Sequence, residues 1–377
     1  MSTDLDDTLA LLGNSAADWL AGPTASARPR GSLGAVRPVD RALRREMAGL
    51  GWIGMALPEA LGGVGLGLSE ALVLTEAFGR HAFPEPFIAT AVMPEFLLAA
   101  AGAGSGADSL AALHLKAERW LSLAWQERAG EIGGVAAIAP QTRLEGQRLS
   151  GSKCFVPAVE GDTVLLVSAK RGDETVIVAV DAAQAGVVVE PRAAGDGGSL
   201  AGVRFASAAI RSEGVLLGGC AAEAALARAI EAGTLASAAH LAGLATSCLD
   251  KTVTYVSGRR QFGRAIGSFQ SVQHRLVDLY TANRLAAASW RHALHAFNSG
   301  APDARRAISA AKARCADAAL NAGRTAVQLH GAMGFTDEAD IGLYLRAAVF
   351  HAAWLGNATQ HRRRFVAGLA PEPLAHV

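Results

Sequence analysis

The 377-residue chain carries 35 Lys and Arg against 34 Asp and Glu, a formal net charge of +1, and 51% of its residues are hydrophobic. The balanced charge gives no basis for a nucleic-acid partner, and the length allows a sizeable core. The four cysteines are scattered and no His-Glu-x-x-His spacing occurs, so neither a disulfide framework nor a metal site is expected.

Two further features bear on location. The first seven residues are acidic where a signal peptide would be basic, so we expect mature protein, and the scattered cysteines fit a reducing cytoplasm. The longest uncharged run, Ala232 to Leu249, consists mostly of small residues around His240. Such a run favours close helix packing within a large protein over a membrane span.

Residues 1–118 show helical periodicity and are predicted to form an N-terminal helical domain. Asp40 is the expected N-cap of a helix over Arg41–Leu50, and Ser69 that of a helix over Glu70–Arg80. The glycine cluster Gly62–Gly67 is expected to be a turn between helices, because no strand precedes it as a dinucleotide-binding loop requires.

Residues 119–218 change to short apolar or alternating runs and are predicted to form a middle β domain. The predicted strands cover Trp120–Trp125, Gly134–Ala139, Thr163–Ala169, Thr175–Val180 and Gly186–Val189. Helical periodicity returns in residues 219–377. The predicted helices of this C-terminal four-helix bundle cover Ala221–Ser257, Tyr280–Asn298, Asp303–Leu329 and Gly342–Gly368.

The segment between the first two bundle helices carries the most distinctive pattern. The first helix is expected to end near Gly258 in a left-handed conformation, and Ser268 to cap the next helix. Arg259, Arg260 and Arg264 lie between them, where guanidinium groups beside a helix N-terminus can hold a phosphate or pyrophosphate. The alternative is that these arginines only complement a helix C-terminus or face water.

The order of residues is more specific than their charge. Arg259-Arg260-Gln261-Phe262-Gly263, followed by Ile266-Gly267 and Phe269-Gln270, resembles the flavin-binding segment of the acyl-CoA dehydrogenase family. The stretch from Gln328 to Glu338 resembles that family's second signature. The resemblance implies an α+β fold with an N-terminal helical domain, a middle β domain and a C-terminal four-helix bundle. It also implies FAD, an acyl-CoA substrate, an electron-transfer partner and a homo- or hetero-tetramer built as a dimer of dimers.

The resemblance also assigns site residues. Arg259 would hold the FAD pyrophosphate, with Phe262, Ile266 and Gln270 along the adenine dinucleotide. A neighbouring subunit's FAD would be reached by Gln328, Gly331 and Ala332. The flavin region would be contacted by Gln126 and Asn357.

Departures from the family fall on the chemistry. The family's base is commonly a glutamate at the position of Leu355, or at that of Gly233 in other members, and neither residue here can accept a proton. Both remain predicted substrate contacts, since the Leu355 N–H could still polarise a thioester carbonyl. Glu231 is expected to face away from Gly233 on the helix, whereas His240 shares its face and is expected to be a packed core group. The catalytic base is therefore left unassigned.

Other departures suggest a partner chain. Pro157 stands where the family commonly has a threonine that hydrogen-bonds the flavin, and it has neither hydroxyl nor N–H to offer. The Trp125-Gln126-Glu127 and Leu355-Gly356-Asn357 forms resemble the small subunits of bacterial two-subunit acyl-CoA dehydrogenases. The run His361–Arg364 is expected to be a solvated helix face, with coenzyme A phosphates as the alternative.

The resemblance thus implies an FAD-dependent oxidoreductase that desaturates an acyl-CoA between its α and β carbons, in fatty acid or steroid side-chain catabolism. Two alternatives remain open. One is a non-catalytic or half-catalytic partner subunit of a heteromeric enzyme, favoured by Pro157. The other is a flavoprotein that catalyses a non-oxidative elimination on an acyl-CoA.

Overall fold

A computed structural model describes residues 2–30, 36, 38–104, 106–131 and 139–369. Helices form its N-terminal and C-terminal regions and a mixed β-sheet lies between them in the chain, so the expected α+β architecture is confirmed. The change from helix to strand falls between Leu115 and Trp120, and the return to helix at Gly219. The three domain limits inferred from the sequence remain a proposal.

The N-terminal helices are α1 (Ser2–Ala21), α2 (Pro23–Ala27), α3 (Arg41–Gly49), α4 (Leu68–Arg80), α5 (Met93–Ala101) and α6 (Ala107–Leu115). Asp40 caps α3 as predicted, because its carboxylate accepts the Ala42 and Leu43 N–H groups at 3.0 and 3.1 Å. The prediction that Ser69 caps the next helix was wrong. Helix α4 begins at Leu68, and the Glu70 carboxylate reaches back to the Gly67 N–H at 2.9 Å. The glycine cluster does precede a helix, and a short 3-10 turn at Glu59–Leu61 precedes the cluster.

The sheet comprises β1 (Trp120–Ala124), β2 (Arg143–Glu145), β3 (Arg148–Pro157), β4 (Thr163–Arg171), β5 (Glu174–Asp181), β6 (Val187–Ala193), β7 (Ser199–Ala209) and β8 (Val215–Gly218). Its order is β6-β7-β3-β2-β4-β5-β8, and β1 pairs parallel with β4 from Trp120 opposite Thr163. Four of the five predicted strands are confirmed. The fifth, Gly134–Ala139, falls almost entirely outside the described residues.

Four strands of the sheet were missed from the sequence: β2, β3, β7 and β8. In β3 and β7 glycine, alanine, serine and charged residues interrupt the apolar alternation, so the local β preference is weak. Pairing between the two strands, antiparallel from Arg148 opposite Ala209, and burial of Phe205 in the sheet core supply what local preference lacks.

The C-terminal helices are α7 (Gly219–Gly258), α8 (Gln270–Asn298), α9 (Ala304–His330), α10 (Ile341–Ala353) and α11 (Ala358–Ala367). Helices α7 and α9 match the prediction. The prediction of one helix over Gly342–Gly368 was wrong, because the chain breaks at residues 354–357, where Leu355 has a φ of +59° and Gly356 of +101°. We call residues 354–357 the Leu355 turn.

The link from α7 to α8 is a small hairpin rather than a capped loop. Strands β9 (Arg260–Gln261) and β10 (Arg264–Ala265) pair around Phe262 and Gly263, which both have positive φ, as a tight two-residue hairpin turn requires. Helix α7 ends at Gly258 without a left-handed residue there, and α8 begins at Gln270 without a cap from Ser268, whose hydroxyl donates to the Ala265 carbonyl. We call residues 259–270 the arginine hairpin.

One hydrophobic core runs through both helical regions and includes Leu72 of α4, Leu235 of α7 and Ala316 of α9. A second core lies within the sheet, around Val167, Val178 and Phe205. The Leu355 turn contributes Leu355 itself to the first core, so this break in the chain is packed rather than peripheral.

Candidate functional site

The Leu355 turn borders a cavity of about 470 Å³ that also contacts the β-sheet region. Its lining includes Gln126, Phe155, Leu200, Phe350, Trp354 and Leu355. Asn357 also lines it, but the Asn357 side-chain oxygen accepts the Gln360 N–H at 2.9 Å and so caps α11. The structure therefore brings together Gln126, Leu355 and Asn357, three of the predicted site residues.

The Leu355 N–H is the notable donor of this turn. Leu355 is buried, its carbonyl accepts from His361 Nε2 at 2.9 Å, and its own N–H has no acceptor among the described residues. An unpaired backbone N–H at a cavity wall is rare, because buried N–H groups are nearly always satisfied. Because Leu355 lines the cavity, this N–H is a candidate donor to a carbonyl oxygen bound there.

The sheet side of the cavity is fixed by an ion pair beneath it. Glu127 accepts from Lys153 Nζ at 2.7 Å and from the Thr142 hydroxyl at 2.8 Å, which anchors the segment carrying Gln126. The Gln126 amide group donates to the Arg128 carbonyl at 2.9 Å, so its side-chain oxygen is the group left for a ligand. Pro157 ends β3 and offers no donor.

A second cavity, of about 40 Å³, lies next to the first, and Phe350 and Trp354 line both. His240 and His351 stack in its wall with ring centroids 4.1 Å apart. Burial lowers the pKa of His240 to about 3 and that of His351 well below its usual value, so both imidazoles are neutral near pH 7. His240 is a packed core group, as the sequence predicted.

The small cavity also contains a carboxylate that the sequence analysis did not single out. Asp196 lies on the β6–β7 connection, with Oδ1 accepting the Gly198 N–H at 3.0 Å and Oδ2 3.8 Å from His351 Nε2. Burial raises the pKa of Asp196 to about 6. No local signal marks it, because a single aspartate in a glycine-rich connection reads as an ordinary turn residue.

The arginine hairpin is exposed and electrostatically unpaired. Arg259, Arg260 and Arg264 make no ion pair with any described residue, and Arg264 lies over the Phe269 ring at 4.0 Å. Phe262, at the tip, is 90% exposed. Gln270 is also exposed and Ile266 half-buried. Unpaired guanidinium groups beside an exposed ring can bind an anionic group that carries an aromatic moiety.

The second signature lies next to the hairpin. The Tyr255 hydroxyl donates to the His330 carbonyl at 3.2 Å, and the two rings stack with centroids 4.1 Å apart, which joins the end of α7 to the end of α9. Gln328, Gly331 and Ala332 are exposed there. No residue of the hairpin or of this segment lines either cavity, so the predicted site residues fall into two separate groups.

Neither family base position holds an acid, as the sequence shows. Gly233 lies away from both cavities, and a Cβ added there would come within 2.6 Å of the Met93 side chain. Its predicted substrate contact remains untested. Glu231 is bound to Arg305 at 2.7 Å and lines neither cavity.

The interpretation of residues 361–364 as a solvated face was wrong for His361. That side chain is fully buried beneath the Leu355 turn, whereas Arg362 is exposed and pairs with Asp317. The error has a simple cause, since a helix of charged residues still turns one position in each 3.6 toward its neighbour. No cluster of metal-ligating side chains occurs among the described residues. Within that same part of the chain, no helix has the length and apolarity to cross a bilayer.

Comparisons with known proteins agree with this architecture. The profile "Acyl-CoA dehydrogenase, C-terminal domain" matches residues 223–369, and "Acyl-CoA dehydrogenase, N-terminal domain" matches residues 34–102. "Acyl-CoA dehydrogenase FadE27" of Mycobacterium tuberculosis is 29% identical over 89% of this chain and 89% of its own length. "Acyl-CoA dehydrogenase IpdE2" of the same organism is 27% identical over 91% of each.

Two solved structures are similar over nearly the whole chain. A variant of the Tcur3481-Tcur3483 steroid ACAD is 30% identical with a TM-score of 0.85, covering 96% of this chain and 98% of that one. The ChsE4-ChsE5 complex from Mycobacterium tuberculosis is 26% identical with a TM-score of 0.83, covering 98% and 97%. This chain belongs to the acyl-CoA dehydrogenase family, whose members are generally flavin-dependent oxidoreductases.

Proposed function

We propose that this chain is a subunit of an FAD-dependent acyl-CoA dehydrogenase that desaturates an acyl-CoA thioester between its α and β carbons. The observation that carries the proposal is the free Leu355 N–H at the wall of a 470 Å³ cavity, together with an unpaired arginine hairpin outside it. A thioester carbonyl needs such a donor when negative charge develops on its oxygen.

Two groups of residues in this chain fit FAD, and each group would contact a different part of the cofactor. Arg259 would hold the pyrophosphate, with Phe262 beside the adenine dinucleotide, and Gln328 and Gly331 would contact the FAD of a neighbouring subunit. Gln126 would contact the ring. FAD, when bound, supplies the acceptor for the hydride that leaves the β-carbon. Because the hairpin lines neither cavity, we infer that two chains complete each flavin site, as in the dimer of dimers that the family resemblance implies.

The protein's own contribution is to orient the thioester and to remove a proton from its α-carbon. For a self-sufficient enzyme we propose Asp196 as that base. It lines the small cavity and its neighbour Gly195 lines the large one, so the α-carbon of the thioester would have to lie at the wall that Phe350 and Trp354 share. Two other carboxylates line the cavities, but Glu85 is paired with Arg28 and Glu131 binds the N–H groups of Glu127 and Arg128. Asp196 Oδ2 makes no hydrogen bond among the described residues, and a pKa raised to about 6 suits a base working near neutral pH.

The second candidate function is a half-catalytic partner subunit whose flavin site is completed by a base-bearing chain. The missing carboxylates at Leu355 and Gly233 favour it, as does the small volume behind the Leu355 turn. Two similar structures also support it by name, because one is called a complex of ChsE4 with ChsE5 and the other pairs Tcur3481 with Tcur3483. An electron-transfer partner would reoxidise the flavin in either case.

The visible spectrum of the purified chain, before and after anaerobic addition of acyl-CoA esters, tests both candidates. A self-sufficient enzyme shows a flavin band that substrate bleaches. Asp196→Asn should then keep its flavin and lose about 10²- to 10⁴-fold in bleaching rate, the usual contribution of a general base. Bleaching that is unaffected in Asp196→Asn would assign the base elsewhere. A protein that takes up no FAD alone, but does so with a second chain, would establish the partner role.

A further inference from the structure

We propose that Lys312 and His361 are positioning residues that clamp the Leu355 turn, so that its one free N–H is held ready for a thioester carbonyl oxygen. The inference rests on the proposed function and adds the two side chains that hold the Leu355 N–H in place. Lys312 was not singled out from the sequence, and His361 was expected to lie on a solvated helix face.

Lys312 is a fully buried lysine without a counter-ion. It lies in α9, and no carboxylate among the described residues pairs with it. Its Nζ instead donates to three carbonyl oxygens at the end of α10, those of His351 at 2.7 Å, Trp354 at 2.9 Å and Gly356 at 3.1 Å. These are carbonyls that a helix end leaves unsatisfied, and the negative end of the helix dipole favours a cation there.

His361 secures the carbonyl that Lys312 does not reach. It is buried in α11 and its Nε2 donates to the Leu355 carbonyl at 2.9 Å. The acceptor is a carbonyl, so the proton must be on Nε2, and burial lowers the His361 pKa to about 3, which keeps the ring neutral. Lys312 and His361 together bind the carbonyls of residues 351, 354, 355 and 356.

The N–H groups on either side of Leu355 both have backbone acceptors. Trp354 donates to the Phe350 carbonyl at 2.9 Å and Gly356 to the Ala353 carbonyl at 3.2 Å, while Leu355 has no acceptor among the described residues. The carbonyls of residues 351, 353, 354, 355 and 356 thus each have a donor, and none of them accepts the Leu355 N–H. The left-handed φ of Leu355, +59°, is costly and persists because these contacts hold it.

Such a clamp matters because a donor to a developing oxyanion is useful only when it is already in place. Without Lys312, the Trp354 and Gly356 carbonyls lose their donor, while the His351 carbonyl keeps only the Ser237 hydroxyl at 3.4 Å, so the turn would have to move to satisfy them. Burial lowers the Lys312 pKa to about 7, whereas carbonyl oxygens within hydrogen-bonding distance favour its charged form. The residue is thus maintained at a cost that its contacts must offset.

The test compares Lys312→Met, which preserves length without donors, with Lys312→Arg and His361→Leu. The direct readout is the infrared stretch of a ¹³C-labelled thioester carbonyl in bound acyl-CoA. In the native chain it should lie at lower frequency than in free acyl-CoA. In Lys312→Met and His361→Leu that shift should be lost, flavin reduction should slow about 10²- to 10³-fold, and acyl-CoA affinity should change less than about threefold. Lys312→Arg should recover part of the shift.

Circular dichroism and thermal unfolding establish that each variant is folded. If Lys312→Met does not fold, His361→Leu provides the test. A folded variant with the native carbonyl frequency and reduction rate would overturn the inference, as would a native chain that binds acyl-CoA without any shift. A native chain that shifts the carbonyl but never bleaches its flavin would instead contradict self-sufficient dehydrogenation and leave the clamp intact.

Discussion

Leu355 and Phe262 have nearly the same backbone conformation in opposite surroundings. Both are bulky residues in the left-handed region, with φ of +59° and +51°. Leu355 is 6% exposed and lies in a turn whose carbonyls are all bound, whereas Phe262 is 90% exposed at the tip of the arginine hairpin. The same strain is therefore supported by packing in one region and by little within this chain in the other.

The contrast separates the two groups of predicted site residues. At the Leu355 turn, the chain's own hydrogen bonds determine the geometry, so the donor exists before any ligand binds. At the hairpin, the Arg264 and Phe262 side chains contact Phe269 within the chain and the arginines have no ion pair among the described residues, so we propose that a bound molecule completes this region. Changes in the first region should alter stability and carbonyl polarisation, and changes in the second should alter binding.

The largest stability effect is expected at Leu355. Leu355→Ala removes a buried side chain and should lower the free energy of unfolding by about 2–5 kcal/mol. Leu355→Gly should cost about 1 kcal/mol less than the alanine variant, because glycine relieves the left-handed strain. Urea unfolding of both variants measures the difference. An alanine variant as stable as the glycine variant would show that the turn relaxes and that φ is not held at +59°.

Asp196, behind the same turn, should make stability depend on pH. Its pKa rises from 3.8 to about 6 on folding, so the folded state binds more protons between these values and stability falls as pH rises through that window. Asp196→Asn has no carboxylate to ionise, so it does not lose stability in this way as pH rises. Its stability relative to the native chain should therefore increase by up to about 3 kcal/mol between pH 4 and pH 7. Urea titrations at several pH values test this, and a constant difference would contradict the buried carboxylate.

These two regions also differ in how far the sequence predicts them. The residues of the arginine hairpin were singled out because they are consecutive in the sequence, although the hairpin conformation itself was not predicted. The break at Leu355 was missed, because the run from Gly342 to Gly368 is compatible with one helix and the contacts that interrupt it come from Lys312, far away in the chain. Local patterns cannot reveal a buried ammonium that binds another helix's carbonyls.

The fold shows the same division. Long periodic helices such as α7 and α9 were predicted almost to the residue, since their pattern persists over many turns. Strands β3 and β7 were missed because their residues acquire strand character only by pairing with each other. Asp196 lies directly before β7, so the missed strand also concealed the carboxylate that the structure places beside His351.

Arg259→Ala tests the hairpin. Loss of a charge-assisted contact to a pyrophosphate should weaken FAD binding by about 1.5–3 kcal/mol, or roughly 10- to 100-fold. The unfolding free energy of the flavin-free protein should change by less than about 0.5 kcal/mol, because the side chain is exposed and unpaired. FAD titration by absorbance measures the affinity, with Arg363→Ala as the control for an exposed arginine elsewhere. Equal affinities in the two variants would remove Arg259 from the cofactor site.

Phe262→Ala should have a stability effect as small as that of Arg259→Ala, and comparing it with Phe262→Gly isolates backbone strain from packing. Because the ring is 90% exposed, Phe262→Ala should change the free energy of unfolding by less than about 0.5 kcal/mol. The free energy of unfolding of Phe262→Gly should be about 1 kcal/mol higher than that of the alanine variant. The glycine-to-alanine difference should thus equal that at Leu355, although the absolute costs differ several-fold. Both variants should bind FAD more weakly in an absorbance titration. If the ring lies between subunits, their oligomers should also dissociate at higher protein concentration, which sedimentation measures. A large loss of stability in Phe262→Ala would instead mean that the ring packs within its own chain.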